Sequence, residues 1–238
     1  MIGRVLEVTG WLAGAALAGG GLYWGFLNAP ESSAPMLALS TLLIVALAGV
    51  AAVIGSAAIL RVLGQPRRSS LVQGARRAHW FLLAALCGAA LGWVVLRADA
   101  WVGGHSGEIS AWFIATLNWS DVTRLFDIER WLSAWLRWVV IPLAMLSAVA
   151  AVLEGGAGHL FSSRWLHRAW GWRSIAAGTL AFLVLIELPW RFAYWRPETG
   201  LPVSVEPAVA GARLALIALA SILGAAVLLV TAARPASR

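Results

Sequence analysis

Few residues able to move a proton, bind a metal or hold an anion sit inside the apolar runs of this sequence. Glu187 is the one acid set well within such a run, and Arg191 follows at i+4, the spacing at which two side chains meet on one helix face. Pro189 stands between them. It lacks an N–H, so the Leu185 carbonyl loses its helical donor and a kink is expected. An ionisable group at membrane depth costs about 2.5–3.5 kcal/mol on insertion scales, so Glu187 should face other helices or a wet cavity. The pair reads either as structural, with Arg191 reaching out to the interface, or as a site for coupling or partner binding.

Two further groupings carry recognition chemistry. Trp131, Trp135 and Trp138 are spaced i, i+4, i+7 and share one helix face, with Arg130 and Arg137 on a neighbouring face. Such an aromatic and cationic stripe suits a lipid headgroup, a quinone, a pigment or a partner helix, and its commonest role is interfacial anchoring. Arg67, Arg68, Arg76 and Arg77 form the second grouping, without an acid among them. They read as a topology signal touching anionic lipid, or as a short coupling helix capped near Ser69 or Ser70 and touching a cytoplasmic ATPase.

The remaining inventory argues against an enzyme. His79, His105, His159 and His167 all lie outside the middles of the apolar runs, which does not suit paired haem ligation across a membrane. His159 and His167 share a loop with Ser162 and Ser163, but no acid completes a triad. A His-Glu metal motif, a Gly-rich phosphate loop and a serine elbow are all missing from the sequence. Cys87 is alone, which leaves it neither a disulfide nor a thiolate metal site, and it is expected to be a small buried hydrophobe. No metal and no cofactor is expected; bound lipid is.

The elements that position these residues follow from composition. Of 238 residues, 61% are hydrophobic and 12% charged, about half the charged fraction of a typical soluble domain. That excludes a soluble enzyme, a disordered chain and a disulfide scaffold. All 18 basic residues are Arg, and they flank apolar runs, which does not make a nucleic-acid surface. A bilayer core of about 30 Å needs about 20 apolar residues per helix. Six segments qualify: 8–27, 36–63, 80–96, 128–153, 172–194 and 210–232. Continuous apolar runs without period-two alternation exclude a β-barrel, so the expectation is an all-α, polytopic membrane helix bundle forming a single transmembrane domain over 1–238. Arg4 before an apolar stretch resembles a signal peptide, but the core is long and no small-x-small site precedes Pro30.

The charges sort by side. Arg4, Arg61, Arg67, Arg68, Arg76, Arg77, Arg164, Arg168, Arg173, Arg234 and Arg238 fall on one side of the six spans. Arg97, Arg124, Arg130, Arg137, Arg191, Arg196 and Arg213 fall on the other, with Glu31, Asp99, Glu108, Asp121, Asp127, Glu129, Glu198 and Glu206. The arginine excess predicts a bacterial-type inner membrane protein with both termini cytoplasmic. Trp80, Trp165, Trp170 and Trp172 are expected at the inner boundary. Trp24, Trp101, Trp112, Trp119, Trp131, Trp135, Trp190 and Trp195 are expected at the outer one.

Between the third and fourth spans, Ile109, Trp112, Phe113, Thr116 and Leu117 fall at helical spacing. Val122, Leu125 and Phe126 supply a second apolar face, with Ser120 as a candidate cap. This predicts one or two short amphipathic helices on the outer surface, serving as a lid or as a docking face for another membrane subunit. Small residues four apart are expected to pack within the chain, with a dimer face as the alternative: Gly10, Gly14 and Ala18, Gly21 and Gly25, Ala48, Ala52 and Ser56, Ala84, Gly88 and Gly92, and Ala220 and Gly224. Replacing either Gly88 or Gly92 with Leu is therefore expected to destabilise the fold. The expected function is an accessory or assembly subunit of a larger inner-membrane complex, in contact with lipids and other integral membrane subunits. The alternative is a permease, the six-span half of an ATP-driven exporter of hydrophobic substrates.

Overall fold

The computed structural model describes residues 2–28, 33–119, 121–194 and 205–233, and these are helical without strands. Pro30, Glu31, Ser120, Trp195, Arg196, Glu198, Arg234 and Arg238, which entered the charge, capping and belt readings, lie outside the described residues. Among the described residues, six helical runs are long and apolar enough to cross a membrane: Ile2–Leu27, Ala34–Val62, Arg67–Gly104, Thr123–Gly155, Trp172–Tyr194 and Glu206–Ala232. The chain is an all-α, multi-pass membrane protein.

Helix α1 spans Ile2–Leu27, α2 Ala34–Val62 and α3 Arg67–Gly104. Helix α4 (Ser106–Leu117) is a short helix in the connection between the third and fourth spans. Helices α5 (Thr123–Trp135) and α6 (Ile141–Gly155) form one span joined by a π turn at Leu136–Val140. A 3-10 turn at Ala157–Phe161 and α7 (Arg164–Trp170) lead into α8 (Trp172–Phe182). A second π turn at Leu183–Glu187 joins α8 to α9 (Leu188–Tyr194), and α10 covers Glu206–Ala232.

One reading of the connections is corrected. The arginine-rich stretch is no separate coupling helix; it is the first turns of α3. Pro66 precedes it with φ −61°, and the Ser69 and Ser70 hydroxyls donate to the Pro66 carbonyl at 2.9 and 2.8 Å. With 38 residues, α3 is about 57 Å long, far more than a bilayer core of about 30 Å requires. The expected one or two helices in the outer connection come to one separate helix, α4, because Leu125 and Phe126 belong to the first turns of α5, just after Val122.

Each π turn ends two residues before a proline, Val140 before Pro142 and Glu187 before Pro189. In each, the N–H just ahead of the proline reaches back five residues, Ile141 to the Leu136 carbonyl and Leu188 to the Leu183 carbonyl. Proline removes one helical donor and its ring crowds the preceding turn, and widening that turn relieves both. The break expected at Pro189 thus takes the form of a π turn, and Pro142 produces the same device in the fourth span.

Helices α1, α2, α3, α6 and α10 pack in a closed ring, and the fifth span lies against α10 and the first π turn. Burial is concentrated at one end. Val8, Ala58, Ile59, Leu60, Val62, Val149, Ala150, Leu153, Leu229 and Val230 form one core cluster. It joins the start of α1 to the ends of α2, α6 and α10, so Ile2 and Ala233 lie at the same end of the bundle. That end also carries Arg61, Arg67, Arg68, Arg76 and Arg77. Toward the far end, Leu17, Trp24, Leu42, Leu91, Trp93 and Leu216 are exposed.

Candidate functional site

Arginines staple the well-packed end. Arg61 Nη2 and Arg67 Nε both reach Glu7 Oε1, at 2.7 and 3.2 Å, which ties α1 to the turn between α2 and α3. Arg4 Nη1 donates to the Val62 carbonyl at 3.0 Å, and Arg77 Nη1 donates to the Leu153 carbonyl at 2.8 Å. The last carbonyls of a helix have no intrahelical donor, so these two arginines satisfy the ends of α2 and α6. Arg168 Nη2 pairs with Glu154 across the α6–α7 connection. All four arginines singled out as lipid or partner contacts are exposed, and Arg67 and Arg77 are also engaged within the chain. Glu7 and Glu154 were not legible as partners, because nothing local to either marks the distant arginine it meets.

The Glu187–Arg191 pair forms, with Arg191 Nε donating to Glu187 Oε1 at 2.9 Å. Arg191 is 74% exposed and Glu187 33%, so the pair sits at the side of the span with the arginine reaching outward. The second π turn ends at Glu187 itself.

The tryptophan stripe divides. Trp131 and Trp135 stack, with ring centroids 6.3 Å apart and planes 14° apart. Trp135 then turns toward α8, where Nε1 donates to Thr179 Oγ1 at 2.8 Å. It is a packing contact between the fourth and fifth spans, not a boundary anchor, and its indole N–H is satisfied inside the protein. Trp138 is 54% exposed and, with Arg137, belongs to the first π turn. Trp135 meets α8 while Trp138 lies on the groove between α3 and α6, so the three do not present one face. Arg137, grouped by sequence with the far-side charges, lies within the span. Its Nε donates to the Ser133 carbonyl at 3.3 Å.

Glycine packing is selective. A Cβ on Gly74 would stand 2.9 Å from both the Val53 carbonyl oxygen and the Ala57 nitrogen. A Cβ on Gly178 would stand 2.9 Å from Val139 and Leu143 side-chain carbons. Gly88 meets Met145 at 3.3 Å, as expected of an intramolecular contact. Gly10, Gly14, Gly21 and Gly92 have nothing within 4 Å, which corrects the expectation at those four positions, while Gly25 meets Leu43 at 3.8 Å. With exposed Ala18, Gly10, Gly14 and Gly21 mark a face of α1 that the described residues leave uncovered. Helix α4 buries no residue.

Among the described residues, no group of three His, Cys, Asp or Glu side chains is placed to hold a metal ion. Cys87 is exposed, not buried. It lies on α3 beside an apolar groove of about 170 Å³ that also touches Trp80, Met145 and Leu160. A second groove of about 320 Å³ runs between α3 and α6 and includes Arg137 and Trp138. Comparison with protein-family models, with curated proteins and with solved structures gave no match for this chain.

Proposed function

We propose that this chain is an accessory or assembly subunit of a larger complex in a bacterial-type inner membrane, with both termini cytoplasmic. The supporting observation is the contrast between its two ends. The arginine-rich end is sealed by the core cluster and its ion pairs. The far halves of α1, α2 and α3 keep most of their residues exposed and bury almost none, and α4 keeps all of its own unburied.

Acyl chains cover ordinary leucine and valine surface well. Helix glycines on an uncovered face are different, since each costs about 1 kcal/mol against alanine in a helix. What they permit is close approach by another backbone, the main source of helix association where lipid and leucine are equally apolar. The Gly10, Gly14, Ala18 and Gly21 face of α1 thus fits a transmembrane helix of another subunit, and α4 fits a partner lying on the far surface. The reading assigns no catalytic step to this chain.

Gentle detergent extraction followed by mass spectrometry of co-purifying chains tests it. A membrane subunit present in fixed ratio is the expected result. Isolation as a lone monomer from native membranes would refute the proposal. A co-purifying cytoplasmic ATPase in place of a membrane subunit would move the assignment to the exporter half.

A further inference from the structure

We infer that the groove between α3 and α6 binds one anionic phospholipid, with its phosphate on Arg137 and one acyl chain laid along the groove toward Val149. The inference rests on the groove and its arginine, independently of any subunit partner.

Phe81, Ala84, Ala85 and Gly88 form one wall, and Ile141, Pro142, Met145, Leu146 and Val149 the other. The volume of about 320 Å³ falls within the usual range for ligand sites. All of these side chains are apolar. Arg137, at the mouth beside Trp138, is the one charged residue on the groove.

Depth and length fit a lipid. Gly88 faces Met145 and Ile141, and α3 and α6 run antiparallel. Arg137 therefore lies opposite the turn of α3 that carries Trp93, whose ring Arg97 covers at 5.0 Å. With the Trp93–Arg97 turn taken as the far boundary of the span, Arg137 lies about one turn beneath it, the level at which a phosphate headgroup meets its acyl chains. From Arg137 to Val149 the helix rises about 18 Å, close to the hydrocarbon depth of one leaflet, about half of 30 Å.

Charge complementarity selects the occupant. An arginine at this depth is costly without a counter-charge. Among the described residues no carboxylate pairs with Arg137. The nearest acid along its helix, Glu129, accepts from Ser133 Oγ at 3.1 Å. The Nε bond to the Ser133 carbonyl leaves the two Nη groups of Arg137 to grip a phosphate in the paired geometry that guanidinium favours. The π turn that carries Arg137 and Trp138 is a feature that often marks ligand sites.

The test uses the full chain in detergent, stripped of lipid, titrated with phosphatidylglycerol and separately with phosphatidylcholine. Bound lipid is counted by native mass spectrometry. One phosphatidylglycerol should bind more tightly than phosphatidylcholine. Arg137→Gln should weaken it about tenfold or more, the scale of one lost charge-assisted contact, and Arg137→Lys, which keeps the charge without the paired geometry, should fall between Arg137→Gln and the parent. Ala85→Trp fills the groove from an exposed position on α3 and should abolish tight binding with the charge intact. Excess inorganic phosphate should leave the lipid bound. Unchanged binding in Ala85→Trp, equal binding of the two lipids, or displacement by phosphate alone would overturn the inference. So would unchanged binding in a folded Arg137→Gln. If Arg137→Gln fails to fold, Ala85→Trp and the ratio of the two lipids decide the question.

Discussion

Adding one methyl group at Gly74 should destabilise the protein, although the same change favours the isolated helix. Gly74 lies on α3 against α2, and the new Cβ would stand 2.9 Å from the Val53 carbonyl oxygen and the Ala57 nitrogen, and 3.0 Å from the Ala57 Cβ. Optimal carbon contacts are about 3.5–4.0 Å, so the helices must part by roughly 0.5–1 Å. Two of the three obstacles are backbone atoms and cannot swing aside. A gap of that size forfeits a quarter to a half of each dispersion contact along the seam. Overpacking of this kind costs about 1–3 kcal/mol, and the backbone clash places Gly74→Ala at the upper end. Alanine recovers about 1 kcal/mol of helix propensity, leaving a net loss of about 1–2 kcal/mol. The control is Gly14→Ala, where nothing lies within 4 Å and the same propensity should raise stability by up to about 1 kcal/mol. Equilibrium unfolding in mixed micelles of increasing dodecyl sulfate content, followed by circular dichroism, gives both values. A Gly74→Ala protein as stable as Gly14→Ala would refute the packing argument.

The other predictions use the same assay. Gly88→Leu should lose stability by roughly the overpacking cost of about 1–3 kcal/mol against Met145, while Gly92→Leu should stay within about 0.5 kcal/mol of the parent. Equal losses would place Gly92 in a contact the structure does not contain. Glu7→Gln removes the charge shared by Arg61 and Arg67 and should cost about 1–3 kcal/mol, with the loss shrinking in high salt. A salt-independent loss would point to packing instead of the ion pair. Trp135→Phe and Thr179→Val should each destabilise by about 1 kcal/mol, and the double variant by less than the sum. Additive losses would show that the indole and the hydroxyl do not meet.

The six spans are visible in the sequence because lipid leaves a helix no alternative means of satisfying its backbone, so length and apolarity suffice to find them. The start of α3 was hidden for a physical reason. Arg67, Arg68, Arg76 and Arg77 make the segment look like a loop, yet Ser70, Gly74 and Ala78 run along the same turns at four-residue spacing, and Ser70 and Gly74 are buried. A small-residue stripe among charges still packs as a helix when the neighbouring helix, here the apolar end of α2, covers it. The π turns were half legible. Pro142 and Pro189 are plain, but whether a proline bends a span or widens its turn depends on the helices around it. Glu187 and Arg191 could be paired from spacing alone, being one turn apart. Glu7 with Arg61, Arg77 with the Leu153 carbonyl and Trp135 with Thr179 are contacts between distant stretches, fixed only when the helices assemble. The glycine stripes separate for the same reason: spacing finds Gly10, Gly14, Gly88 and Gly92 alike, and only the bundle shows that Gly88 alone has a neighbour in contact.

The proposed role depends most directly on whether the open face of α1 is occupied in the cell. A photo-crosslinking amino acid placed at position 14 and activated in intact membranes reports this. The account predicts an adduct of defined mass with another integral membrane protein, the same chain that co-purifies after gentle extraction. Adducts with lipid alone, or only with a second copy of this chain, would contradict it.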